Sequence, residues 1–224
     1  MPDMSVIRAD FDRLAQVETG EWDHNQEYQS FLLKELPAHI RQTLEIGCGT
    51  GEFARLLAQR SDRVGALDLS PEMIRLAKER STNYPNIEFQ VEDVLTWDFP
   101  REQFDCVASI ATLHHMALEP MLIKMKQALK ANSTLIILDL VENGNVLDYL
   151  STAVAVPIDV LMRLYHNGRL RGSPEVRAAW DEHGKSDVYL TISEVRRVCD
   201  RGLPGAKVRK HLFWRYSITW TKKD

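Results

Sequence analysis

The chain has 224 residues, 44% of them hydrophobic and 27% charged, which suits one generous globular domain. This excludes a disordered tail, a collagen-like repeat and a small disulfide-stapled scaffold, and a formal net charge of -4 gives no general affinity for nucleic acid. The charge is uneven, net -5 over residues 1–50 (four Lys/Arg, nine Asp/Glu) and +7 over 196–224 (nine Lys/Arg, two Asp), a pattern that ordinary solvated faces explain.

The first helical signal in chain order is Tyr28, Phe31 and Leu32 at i, i+3, i+4, within a helical N-terminal arm over 1–40. Thr43 to Ile46 is a short apolar run ending at Gly47, and Phe53, Leu56 and Leu57 form a helix face after it. Arg63 to Leu67 predicts a second strand. Ser70-Pro71 then reads as an N-cap with proline at the first helical position, leading into Met73, Ile74 and Ala77. Ile87 to Val91 and Phe104 to Ile110 predict third and fourth strands, and Met121, Met125 and Ala128 a helix between the fourth and fifth. Thr134 to Val141 predicts that fifth strand, with the continuous apolarity of one covered on both faces. Strands alternating with helices argue βαβ units on a parallel sheet. Over 142–190 no strand alternation appears, and Ile158, Leu161, Met162 and Tyr165 predict a helix following a break at Pro157. Thr191 and Glu194 form a capping box for a helix through Val195, Val198 and Cys199. After a turn at Pro204-Gly205, two strands at about 207–213 and 214–222 must pair antiparallel. In the second, Trp214, Tyr216, Ile218 and Trp220 alternate with Arg215, Ser217 and Thr219.

Cys48, Cys106 and Cys199 are odd in number and widely spaced, so they read as reduced thiols and not as a disulfide framework or a zinc site. The opening MPDMSVIRADFDR is charged early and lacks the apolar core of a secretory signal. The most apolar stretch, Ala153 to Leu161, is interrupted by Pro157 and Asp159 and is too short to span a bilayer. A cytoplasmic protein without membrane association is expected.

The strongest chemical signal is Glu45-Ile46-Gly47-Cys48-Gly49-Thr50-Gly51, between the first strand and its helix. Glycines there permit φ > 0 and close approach of a ligand to the main chain, and the following helix offers free N–H groups. Asp68, 17 residues after Gly51, ends the second strand where a carboxylate can accept both hydroxyls of a ribose. Together they point to a nucleoside-containing cofactor at the carboxyl edge of the sheet.

The spacing G-x-G-x-G with an acid two residues ahead resembles the motif of the class I S-adenosylmethionine-dependent methyltransferases, small-molecule type. The resemblance continues through DLSPEMI (68–74), the acidic pair Glu92-Asp93 and FDCVASIATLHHM (104–116), covering roughly 40–141, with the terminal hairpin matching the family's reversed last strand. It implies an α/β fold with a Rossmann-like, seven-stranded, mostly parallel sheet, an antiparallel C-terminal strand and helices on both faces. It also implies S-adenosylmethionine as cofactor and S-adenosylhomocysteine as product. Gly47, Gly49 and Gly51 would pass under the methionine and ribose, with Cys48 a small residue among them, and Glu45 would attract the amino end. Asp68 would hold the ribose, so that Asp68→Ala weakens the cofactor by about 2–3 kcal/mol and leaves ligand-free stability almost unchanged. Leu69 and Met73 would flank the adenine, and Asp93 and the Val94 N–H would meet its polar edge. Glu92, Ser109 and Ile110 complete the expected cofactor set.

His114-His115, after the fourth strand, are the catalytic candidates, since imidazole can remove a proton near neutral pH. Methyl transfer itself needs mainly alignment and exclusion of water. The place of the N/D-P-P-Y motif of adenine and glutamine N-methyltransferases reads Ser109-Ile110-Ala111-Thr112, and Cys106 lies inside a strand and does not follow a proline, so those and the cytosine C5 subclasses are disfavoured. Asp139, Asn143 and Asn145 read as structural or capping residues, and no metal is expected. Trp22, His24 and Tyr28 suggest a segment folded over the cofactor.

The organisation expected is one domain over 1–224: the arm (1–40), the cofactor core (41–141), a helical insertion capping the acceptor (142–190), and the last helix and hairpin (191–224). Val154, Ile158, Leu161, Met162 and Tyr165 should face a pocket, the core or a partner chain, with Arg163, Arg169 or Arg171 available to an anionic group. The function expected is methyl transfer to an oxygen, nitrogen or carbon of a small molecule, in a protein able to form a homodimer. The alternatives are a methyltransferase acting on a protein or tRNA through the basic edge Arg209, Lys210 and Arg215, and a non-catalytic cofactor binder.

Overall fold

The computed structural model describes residues 3–17, 22–170, 173–184 and 187–223. Seven strands form one sheet: β1 (Ile40–Ile46), β2 (Ser61–Asp68), β3 (Ile87–Val91), β4 (Phe104–Ile110), β5 (Leu129–Leu140), β6 (Lys207–His211) and β7 (Arg215–Thr221). Their order is β3-β2-β1-β4-β5-β7-β6. The pairs among β1 to β5 are parallel, while β7 runs antiparallel to both β5 and β6. The fold is therefore the Rossmann-like architecture expected. The sheet order reverses direction between β1 and β4, the place where an open α/β sheet presents its ligand crevice.

Eight helices accompany the sheet among the described residues: α1 (Met4–Val17), α2 (Gln26–Lys34), α3 (Glu52–Ala58), α4 (Pro71–Arg80), α5 (Leu118–Ala128), α6 (Val146–Asn167), α7 (Pro174–His183) and α8 (Ile192–Gly202). Alternation along the strands feeds two cores. Leu135 and Ile137 point with Leu44 and Val107 into the layer under α5 and α8; Ile136 and Leu138 point with Ala66 and Cys106 into the layer under α2, α3 and α4. All four β5 residues are at most 1% exposed, as the unbroken apolar run required. Ser70 accepts from Met73 N–H at the start of α4, and Thr191 and Glu194 close their capping box on α8.

Three expectations change. α6 runs without a break through Pro157, because Ala153, whose carbonyl loses its donor, and Pro157 both lie on the exposed side where water can replace the bond. β5 begins at Leu129, five residues early, continuing across a register irregularity opposite Phe104 and Cys106 and a left-handed Asn132 (φ 59°). The polar residues alternating along β7 do not face water: Arg215 and Ser217 are buried, because β7 is an interior strand covered on both faces. The insertion is closed at its base, where Glu142 N–H donates to the Leu190 carbonyl (3.0 Å) and Glu142 bridges to Thr191. No helix among the described residues is long and apolar enough to cross a membrane.

Candidate active site

The loop from β1 to α3 is left-handed at Gly47 (φ 70°) and Gly49 (φ 50°). A Cβ at Gly47 would lie 2.0 Å from Thr112 Oγ1, so the loop closes against the end of β4 only with glycine there. A Cβ at Gly49 would meet nothing within 4 Å, and its bare backbone faces the open cleft. Asp68 folds back on this loop: Gly49 N–H donates to Oδ2 (2.8 Å) and Ser70 N–H to Oδ1 (2.9 Å). Glu45 Oε2 is buried with no hydrogen-bond partner. Burial, reinforced by the Asp68 carboxylate, pushes the Glu45 carboxyl well above its ordinary range. Burial raises Asp68 as well, against the opposing N–H donors of Ser70 and Gly49. Two carboxyls held out of water, with no ion pair among the described residues, suit a cationic ligand and would repel a pyrophosphate. The orphaned Glu45 oxygen and the open face of Gly49 thus fit a ligand that carries an ammonium and a sulfonium.

A second cavity of about 460 Å³ opens from this cleft, and Phe11, Met73, Ala111 and His115 line both. Ala111 takes a left-handed turn (φ 49°) as β4 ends, which carries Thr112 and the 3-10 turn Leu113–His115 across the sheet edge. The far walls of the cavity come from α6, α7 and the segment 22–25. That segment is tied to α6: Trp22 N–H donates to Asn167 Oδ1 (3.0 Å), and His24 Nε2 lies 2.7 Å from Asp159 Oδ1. Arg163 also donates to Asp159 Oδ1 (2.7 Å). Arg215, only 8% exposed, lines the same cavity from β7. Its Nε donates to Asn25 Oδ1 (2.8 Å) and Nη1 to the Phe213 carbonyl (3.1 Å), and among the described residues it forms no ion pair. Burial lowers its pKa, the sign of a charge held with too little compensation.

Glu45, Gly47, Cys48, Gly49, Asp68, Leu69, Met73, Glu92, Val94 and Ile110 all line the cleft. Gly51, Asp93 and Ser109 do not. Gly51 starts α3 behind the loop, where a Cβ would press Phe89 at 2.9 Å. Asp93 Oδ1 accepts the Leu95 N–H (2.9 Å) and shapes the turn after β3, and Ser109 Oγ donates to the Ile46 carbonyl (2.9 Å), binding β4 to β1. Burial pushes the Cys48 thiol well up, so it is inert at neutral pH.

Among the expected acceptor residues, Trp22 and His24 line the second cavity, with His114 and His115. Tyr28 does not; its hydroxyl donates to the Leu212 carbonyl (2.6 Å). Met162, Tyr165 and Arg169 also lie away from the cavity: α6 turns Arg163 and Asn167 inward, leaving Tyr165 82% exposed. Arg171 lies outside the described residues. Asn145 caps α6 by accepting the Asp148 N–H, as a structural residue should, while Asp139 is engaged by His114. The helical arm expected over 1–40 consists of α1 and α2; the sequence signal used for it, Tyr28, Phe31 and Leu32, marks α2, while Ile7, Phe11, Leu14 and Ala15 carry the helical spacing of α1. The sequence reading missed the cavity roles of Arg215, His183 and Asp187, for which no local signal exists.

The profile of the methyltransferase domain family matches residues 43–132. An uncharacterized methyltransferase of Mycobacterium tuberculosis is 28% identical over 204 residues, 89% of this chain and 96% of that protein. A malonyl-[acyl-carrier protein] O-methyltransferase of Ilyobacter polytropus is 41% identical over 71 residues, 31% of this chain and 26% of that one. The crystal structure of a SAM-dependent methyltransferase from Aquifex aeolicus shares the fold, with a TM-score of 0.59, 17% identity and 99% of each chain covered.

Proposed function

We propose that this chain is a class I S-adenosylmethionine-dependent methyltransferase that methylates, in line, an oxygen of a small anionic molecule held in the cavity beneath α6 and α7. The cofactor supplies a methyl group already activated by the sulfonium, so the protein's work is alignment and exclusion of water. Glu45 would hold the ammonium end, Gly47 and Gly49 would admit the ligand to the main chain, and Asp68 would hold the ribose. Leu69 and Met73 would lie along the adenine, with Glu92 and Val94 beyond. His114 and His115 stand on the wall that the acceptor faces. In this reading residues 41–141 hold the donor and 142–190 cap the acceptor, in a cytoplasmic protein. A homodimer would find an apolar surface on the outer side of α6, where Tyr149, Leu161 and Tyr165 are exposed.

Arg215 carries the choice of an anionic acceptor. A buried guanidinium whose hydrogen-bond partners are neutral, with Asp23 and Asp139 acting on it only without a direct ion pair, is costly to maintain, and a carboxylate in the cavity would supply both a contacting counter-charge and a nucleophilic oxygen. One relative is named a malonyl-[acyl-carrier protein] O-methyltransferase, which is consistent with an oxygen acceptor, and a malonyl group carries a free carboxylate. Docking of a protein or tRNA on a basic edge is less well supported, since Arg209 pairs with Glu35 (3.0 Å), Lys210 pairs with Asp148, and Arg215 is inside.

Transfer from a methyl-labelled donor to a panel of free carboxylates, malonyl thioesters, phenols and amines tests this. Carboxylates should give alkali-labile methyl esters. Arg215→Gln should raise the acceptor KM about ten- to hundredfold, the loss of about 1.5–3 kcal/mol from a charged hydrogen-bond pair. Transfer confined to uncharged amines, or a KM untouched by Arg215→Gln, would sink the proposal.

A further inference from the structure

One wall of the acceptor cavity holds three imidazoles and a carboxylate that come from two separate parts of the chain. His114 and His115 stand in the 3-10 turn after β4; His183 ends α7 and Asp187 follows it. One ligand atom from each lies within 4.8 Å of all the others. The pairs involving Asp187 are tighter: its Oδ1 lies 3.2 Å from His115 Nδ1 and 3.9 Å from His183 Nε2, and its Oδ2 lies 4.0 Å from His114 Nε2. Around a tetrahedral ion with bonds of about 2.0–2.1 Å, ligand atoms sit about 3.3 Å apart, so small side-chain rotations suffice to close the set.

Hydrogen bonding leaves this centre unfilled. Both ring nitrogens of His115, 4% exposed, and Asp187 Oδ1 are buried without a hydrogen-bond partner. The outer atoms of His114 and Asp187, by contrast, are hydrogen-bonded, and His183 Nδ1 faces a carboxylate at longer range. His114 Nδ1 lies 2.6 Å from Asp139 Oδ1, His183 Nδ1 lies 3.5 Å from Asp10 Oδ2, and Tyr189 Oη donates to Asp187 Oδ2 (2.7 Å). The hydrogen bonds at His114 and Asp187 fix one side of the ring and of the carboxylate, the carboxylate–histidine arrangement that supports metal ligands, and Asp10 stands beside His183 where it can complete the same arrangement.

We propose that His114, His115, His183 and Asp187 bind one divalent transition-metal ion, zinc by the chemistry of three imidazoles and one carboxylate. Asp139, Asp10 and Tyr189 position the ligands. The ion would fasten the end of α7 to the turn after β4, locking the cap over the acceptor cavity. The proposal is independent of the acceptor's identity.

Metal-free full-length protein is titrated with cobalt(II), then zinc, in the absence of methyl donor and acceptor. The expected result is one ion per chain, a tetrahedral cobalt spectrum that zinc abolishes, and a raised melting temperature. Asp139→Asn should weaken binding about 10- to 100-fold, and His183→Ala or Asp187→Asn by at least as much, with circular dichroism reporting whether each variant is folded. If a variant does not fold, the stoichiometry and spectrum of the unaltered protein decide. No saturable ion, or cobalt bound with an octahedral spectrum or equally well by folded His183→Ala, overturns the site.

Discussion

Glu45 and Asp68 share one cleft but bear different loads. Glu45 Oε2 has no partner, and burial opposes its charge, so Glu45→Gln removes an unfavourable group from the ligand-free protein. Its melting temperature should hold or rise while S-adenosylmethionine binding weakens by about 1.5–3 kcal/mol. Asp68 already accepts the N–H groups of Gly49 and Ser70. Asp68→Ala should therefore lower ligand-free stability by about 1–3 kcal/mol as well as affinity, contrary to the sequence expectation of unchanged stability. Differential scanning fluorimetry and calorimetry on both variants check the contrast. A destabilised Glu45→Gln, or a fully stable Asp68→Ala, would show that the structural loads are wrongly assigned.

Among the elements, α6 departs furthest from what its sequence suggests. Its apolar residues outnumber what one buried stripe needs, and the excess faces outward: Leu161 is 65% exposed and Tyr165 82%. The inward side presents Asp159, Arg163 and Asn167 instead, held to His24 and Trp22. Substitutions on the two sides should separate. Leu161→Ala and Tyr165→Ala should leave acceptor kcat/KM within about twofold, whereas Asn167→Ala frees the 22–25 segment and should raise KM several-fold, because exposed truncations seldom exceed ~0.5 kcal/mol. Steady-state kinetics with the acceptor found above decides it, and equal effects on both sides would refute the assignment.

For the whole molecule, the two raised carboxyls couple folding, pH and cofactor. Their folded pKa values lie above the unfolded ones, so the native ligand-free protein keeps protons that the unfolded chain has released. Ligand-free stability should fall as pH rises from the ordinary carboxylate range through the raised folded values. A cationic donor favours the ionised carboxylates, so its binding should release protons and tighten with pH over the same window. Calorimetry in two buffers of different ionisation enthalpy measures that release, and Glu45→Gln should reduce it. Binding without proton release in the unaltered protein would place the cation away from Glu45.

Glycine spacing, strand periodicity and helix caps made the core legible, because each is a local property: φ > 0 at Gly47, alternation in β5, a side-chain oxygen at Ser70. The cleft proposed for the donor follows from them, since consecutive βαβ units bring the strand ends Glu45 and Asp68 together. The second cavity, proposed for the acceptor, does not follow. Arg215 reads as a surface residue until β7 is known to be an interior strand, and His183 and Asp187 reach His114 and His115 only once α7 has folded over the sheet edge. Local preferences act within a few residues. Which distant side chains share a cavity is decided by how the elements pack, and only the tertiary structure holds that information.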